Sequence, residues 1–81
     1  MQPGNRAIDL LGFIARGLVS RPEEISIEQV EDERGRLLRL KVAPSDLGMV
    51  IGREGATATA IRAVLTAATA NEINARLDIV D

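Results

Sequence analysis

The chain has 81 residues, of which 46% are hydrophobic and 27% are charged, and its formal net charge is −2. A chain of this length buries only about 60% of its unfolded surface, so we expect one small globular domain that spans residues 1–81. No apolar run approaches the roughly 20 residues that cross a bilayer, and the N-terminus has no secretory signal pattern. We therefore expect a cytoplasmic protein that has no membrane partner.

Several residue types with special chemistry are missing. The chain has no histidine and no cysteine, so it lacks the commonest general base, the commonest metal ligand and any disulfide. We expect no catalytic activity, no metal and no cofactor. Phe13 is the only aromatic residue, which excludes a nucleic-acid binder that stacks bases on several rings. Because the net charge is negative, any contact with phosphate has to be local.

The first predicted element is an amphipathic helix. Residues 1–5 are predicted to form a flexible leader, with Asn5 as the N-cap of this helix. Pro22 disfavours a helical conformation at Arg21, so the helix is predicted to end near Val19. Its apolar residues recur at steps of three and four and are Ala7, Ile8, Leu11, Ile14, Ala15 and Leu18.

Two strands are predicted next, in the segments EISIEQVE and RLLRLKV. In the second strand Leu38, Leu40 and Val42 share one face, as alternation requires. The short polar connection DERG ends in Gly35 and predicts an antiparallel hairpin. Basic residues of the second strand follow acidic residues of the first, so we expect cross-strand charge pairs. These residues are Arg34, Arg36, Arg39 and Lys41 on one side, and Glu28, Glu31, Asp32 and Glu33 on the other.

Two helices and a strand complete the pattern. A short helix capped by Ser45 or Asp46 is predicted to run to about Ile51, and a longer one to follow Gly55. The segment NEIN ends the longer helix, and RLDIV predicts a last strand parallel to the second. The order α-β-β-α-α-β predicts an α+β fold, a three-stranded sheet with three helices on one face. The buried side of the longer helix is predicted to consist of Ala58, Ile61, Val64, Leu65 and Ala68.

A glycine pair, Gly52 and Gly55, separates the two predicted helices. The first turn of a helix has unpaired N–H groups and the positive end of the helix dipole, where anions collect. Without a Cβ at either glycine, a sugar-phosphate chain can approach the backbone, and Arg53 can contact a phosphate. The alternative is a tight turn between helices that binds nothing, with Arg53 as an ordinary solvated charge.

The surrounding string VIGREGATATAI resembles the KH domain, whose GxxG loop lies between two helices. Val50, Ile51, Gly52, Gly55 and Ile61 fall where the KH signature places them, and Ala58 replaces a larger aliphatic residue. The order of elements is similar to the bacterial, type II KH arrangement. The segments RPEEISIEQVE, LKVAPSDLGMVIGREG, AIRAV and DIVD look more narrowly like the small KhpA-type RNA-binding proteins, so the resemblance covers nearly the whole chain.

This resemblance implies that Gly52, Arg53, Glu54 and Gly55 clamp about four nucleotides of single-stranded RNA by their backbone. A groove would lie between the two flanking helices and the last strand, residues 76–80, and Ile51 would offer apolar surface to the bases. Arg62 and Arg76 would either border this groove or be ordinary exposed residues. Residues 71–75 would be the variable loop at its far wall. The resemblance further implies self-association, a larger Jag-type KH partner, and an RNA chaperone role linked to cell elongation and division.

Two other functions compete with RNA binding. In the first, the glycine loop and the alanine-rich helix ATATAIRAVLTAATA serve dimerisation, and RNA contact is secondary. In the second, Asp46 and Glu54 act as paired catalytic acids, but no histidine, cysteine or metal-ligand cluster supports them. Replacing Arg53 and Glu54 by Asp distinguishes RNA binding from the first alternative. If the chain is an RNA binder, the change removes RNA contact and leaves any dimer intact, whereas an interaction module would lose the dimer and keep the RNA contact.

Overall fold

The computed structural model describes residues 6–68 and 75–80, and the following statements concern these residues. The predicted leader, the Asn5 cap, the helix-ending segment 71–74 and most of the predicted variable loop lie outside them. The described elements are helix α1 (Arg6–Leu18), strands β1 (Ser26–Asp32) and β2 (Gly35–Lys41), helices α2 (Leu47–Ile51) and α3 (Ala56–Ala68), and strand β3 (Ala75–Val80). The predicted order α-β-β-α-α-β is confirmed.

The three strands form one sheet in the order β1-β2-β3. Strands β1 and β2 pair antiparallel, with Ser26 opposite Lys41, so the predicted hairpin is confirmed. Strands β2 and β3 pair in parallel, with Leu38 opposite Leu77. Strand β3 is therefore an edge strand, reached from β2 through a crossover that contains both α2 and α3.

The core lies between one face of the sheet and the helices. Leu38 and Leu40 of β2 are completely buried, and so are Leu11 of α1, Val50 of α2 and Leu65 of α3. Because all three helices bury side chains against the same strand face, they form a single layer over it. Burial of each such leucine contributes roughly 1.5–3 kcal/mol relative to an exposed side chain. The fold is the predicted α+β arrangement, a three-stranded sheet with three helices on one face.

The prediction that Val64 belongs to the core is wrong. Val64 has 45% of its surface exposed, whereas Ala58, Ile61 and Leu65 of the same helix are buried. Successive residues of an α-helix point about 100° apart, since 3.6 residues complete a turn. Val64 therefore points well away from the direction of Leu65, and the core has room for only one of these neighbours.

The other face of the sheet is held by ion pairs. Arg39 lies 3.4 Å from Glu28 across the hairpin and 3.8 Å from Asp78 on β3, so one of the predicted cross-strand charge pairs is present. Arg76 of β3 donates to Asp32 of β1 at 2.7 Å. Hydrogen bonds from the Arg76 guanidinium and then from the Arg34 backbone N–H hold the pKa of Asp32 below its ordinary value. Arg36, in contrast, is buried on the helix-facing side.

Asp46 links the first half of the chain to the start of α2. It occupies the N-cap position but forms no capping hydrogen bond. The prediction that its side chain caps α2 is therefore wrong. Its buried carboxylate instead accepts hydrogen bonds from the N–H and hydroxyl of Ser20, at 3.1 and 2.8 Å, and from the N–H of Arg21 at 3.0 Å. The backbone bond from Ser20 is the main reason that the pKa of Asp46 is lowered, with the Ser20 hydroxyl and Arg21 adding to it.

A lowered folded-state pKa means that Asp46 stabilises the fold above the pKa of the unfolded chain, about 4 for an aspartate. This stabilisation is lost as the pH falls through the folded-state pKa. We predict that Asp46→Asn lowers the midpoint of urea unfolding at pH 7, and that the difference from the wild type shrinks near pH 3. Glu33→Gln, in the exposed hairpin turn, is the matched control. Equal losses at both pH values would show that the carboxylate charge is not what matters.

Candidate nucleic-acid interface

The glycine pair lies in the turn that joins α2 to α3. The N–H of Gly52 donates to the carbonyl of Gly48 at 2.9 Å and ends α2. A short 3₁₀ turn, Arg53–Gly55, follows, and α3 starts at Ala56. The structure therefore brings residues 51–55 together as one continuous turn between two helix ends. We call residues 52–55 the clamp.

Gly52 and Gly55 differ in what a side chain would meet at each position. Gly52 has φ +76°, and a Cβ added to it would lie 2.7 Å from the backbone nitrogen of Thr57 and would also overlap its side chain. The space that the absent side chain leaves at Gly52 is thus filled by the chain itself. Gly55 has φ +77°, but a Cβ added there would meet nothing within 4 Å. Only Gly55 leaves open space through which another molecule can approach.

Glu54 has a strained backbone. Its φ of 55° and ψ of 26° place it in the left-handed region. It is the only non-glycine residue with a positive φ in the part of the chain that the structure describes. This conformation costs a residue with a side chain roughly 1–2 kcal/mol. The turn therefore holds two exposed charges of opposite sign, Arg53 and Glu54, in adjacent positions on an unusual backbone.

The hydrogen bonds of the turn determine which of its backbone N–H groups have no acceptor. The N–H of Gly55 donates to Gly52 at 3.2 Å, and the N–H of Ala56 donates to Arg53. Among the described residues, no acceptor faces the N–H of Arg53 or of Glu54. The sequence had assigned the donors to the start of the second helix. The N–H groups of Arg53 and Glu54 come before that start, in the middle of the clamp.

Arg62 lies apart from the clamp. It follows Gly55 by seven residues, which is about 10 Å along α3 at 1.5 Å per residue. Its Nε donates to the Leu77 carbonyl of β3 at 3.5 Å, so its side chain reaches from α3 to the edge strand. Arg62 thus lies where the resemblance places the groove, between the helices and β3. Arg76, on the same strand, is held by its ion pair with Asp32.

Two residues near the clamp are not among those predicted from the sequence. Met49 has 55% of its surface exposed and lies two residues before Ile51, which is half-buried. In a helix of only five residues, the spacing of Leu47, Val50 and Ile51 already marks the inner side, and Met49 falls outside it. Thr57 was missed as well, because its contact with Gly52 exists only in the folded turn.

Comparison with known proteins identifies the family. The family model described as KhpA/KhpB, KH domain, matches residues 8–79. The chain belongs to the KhpA/KhpB KH-domain family. It is 48% identical over 63 residues to the RNA-binding protein KhpA of Clostridium acetobutylicum, covering 78% of this chain and 84% of that protein. It is 38% identical to the RNA-binding protein KhpA of Mycobacterium bovis, and the match covers 91% of this chain and 90% of that protein. It is 37% identical to the RNA-binding protein KhpA of Borreliella burgdorferi, and the match covers the whole of both chains. No solved structure matches.

Membership of the KhpA/KhpB family confirms the resemblance to KhpA-type proteins that the sequence around the clamp indicates. The relatives are named as RNA-binding proteins, and the family is not enzymatic, so the prediction that the chain is not an enzyme is confirmed. Within residues 6–68 and 75–80, no three His, Cys, Asp or Glu side chains are placed to hold a metal ion. None of the described helices is long and apolar enough to span a bilayer.

The two glycines are predicted to differ in their tolerance of alanine. Gly52→Ala is expected to cost roughly 2–5 kcal/mol of unfolding free energy, because a strained φ adds to an overlap with Thr57. Gly55→Ala, with the same φ but open space, is expected to cost only about 1–2 kcal/mol. Chemical denaturation of both variants measures the difference. Equal costs would mean that Thr57 moves aside freely.

Glu54→Gly is predicted to stabilise the fold. Relief of the left-handed conformation, less the backbone entropy that glycine loses on folding, leaves a gain of roughly 0.5–1 kcal/mol. Glu54→Gln keeps the strain, removes the charge, and is the matched control. Thermal unfolding of both should show a higher midpoint for the glycine variant alone. A rise in both variants would assign the effect to charge instead of backbone strain.

Proposed function

We propose that this chain binds single-stranded RNA, and that residues 52–55 clamp the sugar-phosphate backbone. The observation that carries the proposal is the pair of N–H groups without acceptors, on Arg53 and Glu54, beside the open space at Gly55. Two adjacent donors in a turn are a common way to hold a phosphate oxygen. The KhpA relatives, which are named as RNA-binding proteins, support the same conclusion.

Charge near the clamp adds to the backbone donors. The exposed guanidinium of Arg53 lies at the tip of the turn and can form a charge-assisted hydrogen bond to the same or the next phosphate. The turn leads directly into α3, whose 13 residues give the clamp the positive end of a helix dipole. These contacts recognise the backbone of the nucleic acid and carry no base preference.

The bases are proposed to lie along a groove between the helices and β3. Ile51 and Met49 offer apolar surface next to the clamp, and Arg62 lies at the β3 side. An edge strand also presents backbone groups that have no neighbouring strand, and unpaired bases can bond to them. This arrangement requires no aromatic ring, which agrees with a chain whose only aromatic residue is on α1.

Binding by one chain is proposed to be weak and tolerant of sequence. Glu54 offsets the charge of Arg53 inside the clamp, and the net charge of −2 gives little general attraction. With about three or four phosphates held on a single strand, log K should fall with log salt at a slope of about −2 to −3. A slope near zero with measurable binding would contradict a phosphate clamp.

The wider role follows from the resemblance. We propose that the whole chain, residues 1–81, is one KH domain that acts in the cytoplasm as an RNA chaperone or post-transcriptional regulator. The link to cell elongation and division, self-association and a Jag-type KH partner are part of the same proposal. Crosslinking and sequencing of bound RNA in the native cell, with wild type and a clamp variant compared, tests the role.

A dimerisation module with secondary RNA contact is the second candidate. The exposed apolar residues Phe13 and Val64, on α1 and on the alanine-rich α3, favour it. Replacing Arg53 and Glu54 together by Asp separates the two candidates. Loss of RNA crosslinking with an intact fold and dimer supports RNA binding. Persistent crosslinking with loss of the dimer supports the interaction module.

Arg53→Ala is predicted to weaken binding of a short RNA oligonucleotide by roughly tenfold, because one charge-assisted contact is lost. The salt slope should also become shallower by about 0.7. Arg34→Ala, which removes one exposed charge from the hairpin turn, is the control with the same net charge and should change affinity less than about twofold. Fluorescence titration measures both, and NMR of the wild type should show shifted Arg53 and Glu54 N–H signals. Equal weakening by both variants would mean that the effect comes from the net charge of the chain and not from a contact at Arg53.

A further inference from the structure

Glu54 is an unusual residue for the middle of a turn that holds a phosphate. Its backbone has φ 55° and ψ 26°, in the left-handed region that glycine adopts most easily. Its carboxylate repels a phosphate bound at the clamp. Among the described residues, Glu54 forms no ion pair and its side chain accepts no hydrogen bond. A group on the bound strand is therefore the remaining partner for this carboxylate.

The carboxylate belongs to the same residue as one of the two N–H groups that carry the proposed clamp. Within the described chain this N–H has no acceptor, and a Cβ added to the neighbouring Gly55 would meet nothing within 4 Å. Bonds of about 1.5 Å let the exposed side chain of Glu54 reach about 5 Å from its own backbone nitrogen. When a phosphate binds this N–H, the ribose attached to that phosphate is within reach of the carboxylate.

The chemistry of a carboxylate limits what it can bind on a nucleic-acid backbone. An ionised glutamate side chain only accepts hydrogen bonds, so its partner has to be a donor. The sugar-phosphate backbone of DNA has phosphate, ester and ring oxygens, and all of these are acceptors. RNA adds one donor to each nucleotide, the 2′-hydroxyl. The 2′-hydroxyl is therefore the only group on the backbone of a single strand that suits Glu54.

We propose that the Glu54 carboxylate accepts a hydrogen bond from the 2′-hydroxyl of the ribose next to the clamped phosphate, and that this contact selects RNA over single-stranded DNA. The inference rests on the proposed phosphate clamp and adds the class of sugar to it. Adjacent residues then recognise different groups, since Arg53 binds the phosphate and Glu54 binds the ribose. With DNA the same carboxylate meets only acceptors, so its repulsion of phosphate is not offset.

The bases also have hydrogen-bond donors, on their amino and imino groups, but their place in the proposed complex is elsewhere. They lie along the groove toward β3, where Arg62 reaches the Leu77 carbonyl about 10 Å along α3 from the clamp. A contact between Glu54 and a base would also depend on the base and not on the sugar. Strands that differ only in the sugar therefore distinguish the two contacts.

Such strands test the proposal directly. Three pools of about eight nucleotides, with random base sequence and uracil throughout, contain ribose, 2′-deoxyribose or 2′-fluoro sugars. The 2′-fluoro sugar keeps the conformation of ribose in RNA but has no hydrogen to donate. Competition measured by fluorescence anisotropy gives the three dissociation constants. The wild type should bind the ribose pool roughly tenfold more tightly than either other pool, as expected for a hydrogen bond to a charged acceptor.

Variants of Glu54 should remove this preference. Glu54→Ala should bring the three dissociation constants within about twofold of one another. Glu54→Gly, which is expected to stabilise the fold, is a second variant without a carboxylate, and circular dichroism shows whether both are folded. Glu54→Gln keeps a neutral acceptor and should retain a preference of about threefold. Glu33→Ala, in the exposed hairpin turn, removes the same charge and should leave the preference at the wild-type value.

Several results overturn the proposal. If the wild type binds the ribose and deoxyribose pools equally, Glu54 does not select the sugar, although the phosphate clamp stands. A preference that the 2′-fluoro pool shares comes from sugar conformation, and one that persists in the folded alanine and glycine variants comes from another residue. If the wild type binds none of the pools up to about 1 mM, the clamp itself fails, and this inference fails with it.

Discussion

The parallel pairing of β2 with β3 is the constraint on which the rest of the fold depends. A parallel connection has to return the chain across the sheet to the end at which the first strand began, and it does so with helices that cover one face. Here the return contains α2 and α3, and Val50, Ile61 and Leu65 bury their side chains against the sheet. The glycine turn is the point at which this return passes from α2 to α3.

The turn is held in place by the chain itself. Thr57 fills the space next to Gly52, and Asp46 fixes the start of α2 by three hydrogen bonds to Ser20 and Arg21. Both contacts are made within the chain and hold the backbone on either side of Arg53 and Glu54. In the proposed function, this preorganisation of the two N–H groups reduces the entropy lost when a phosphate binds. The strained backbone of Glu54 is tolerated because the structure on both sides of it is well packed.

The proposed clamp carries little net charge. Arg53 and Glu54 have opposite charges at its centre, and the whole chain has a net charge of −2. Under the proposed function, the attraction for RNA therefore comes largely from backbone donors, which recognise phosphate without a base preference. Weak binding by one chain is the expected consequence.

The order of elements, the antiparallel hairpin, the faces of β2 and the position of the clamp between two helices all followed from the sequence. These features depend on residues two to four apart, as in the alternation of Leu38 and Leu40, and on glycine as a chain breaker. Tertiary structure alone decided the partners of Asp46, the exposure of Val64, the contact of Thr57 with Gly52 and the identity of the free N–H groups. Asp46 and Ser20 are 26 residues apart, and no local pattern encodes a hydrogen bond over that distance. Val64 and Leu65 are equally apolar, so only the shape of the core shows which of them it encloses.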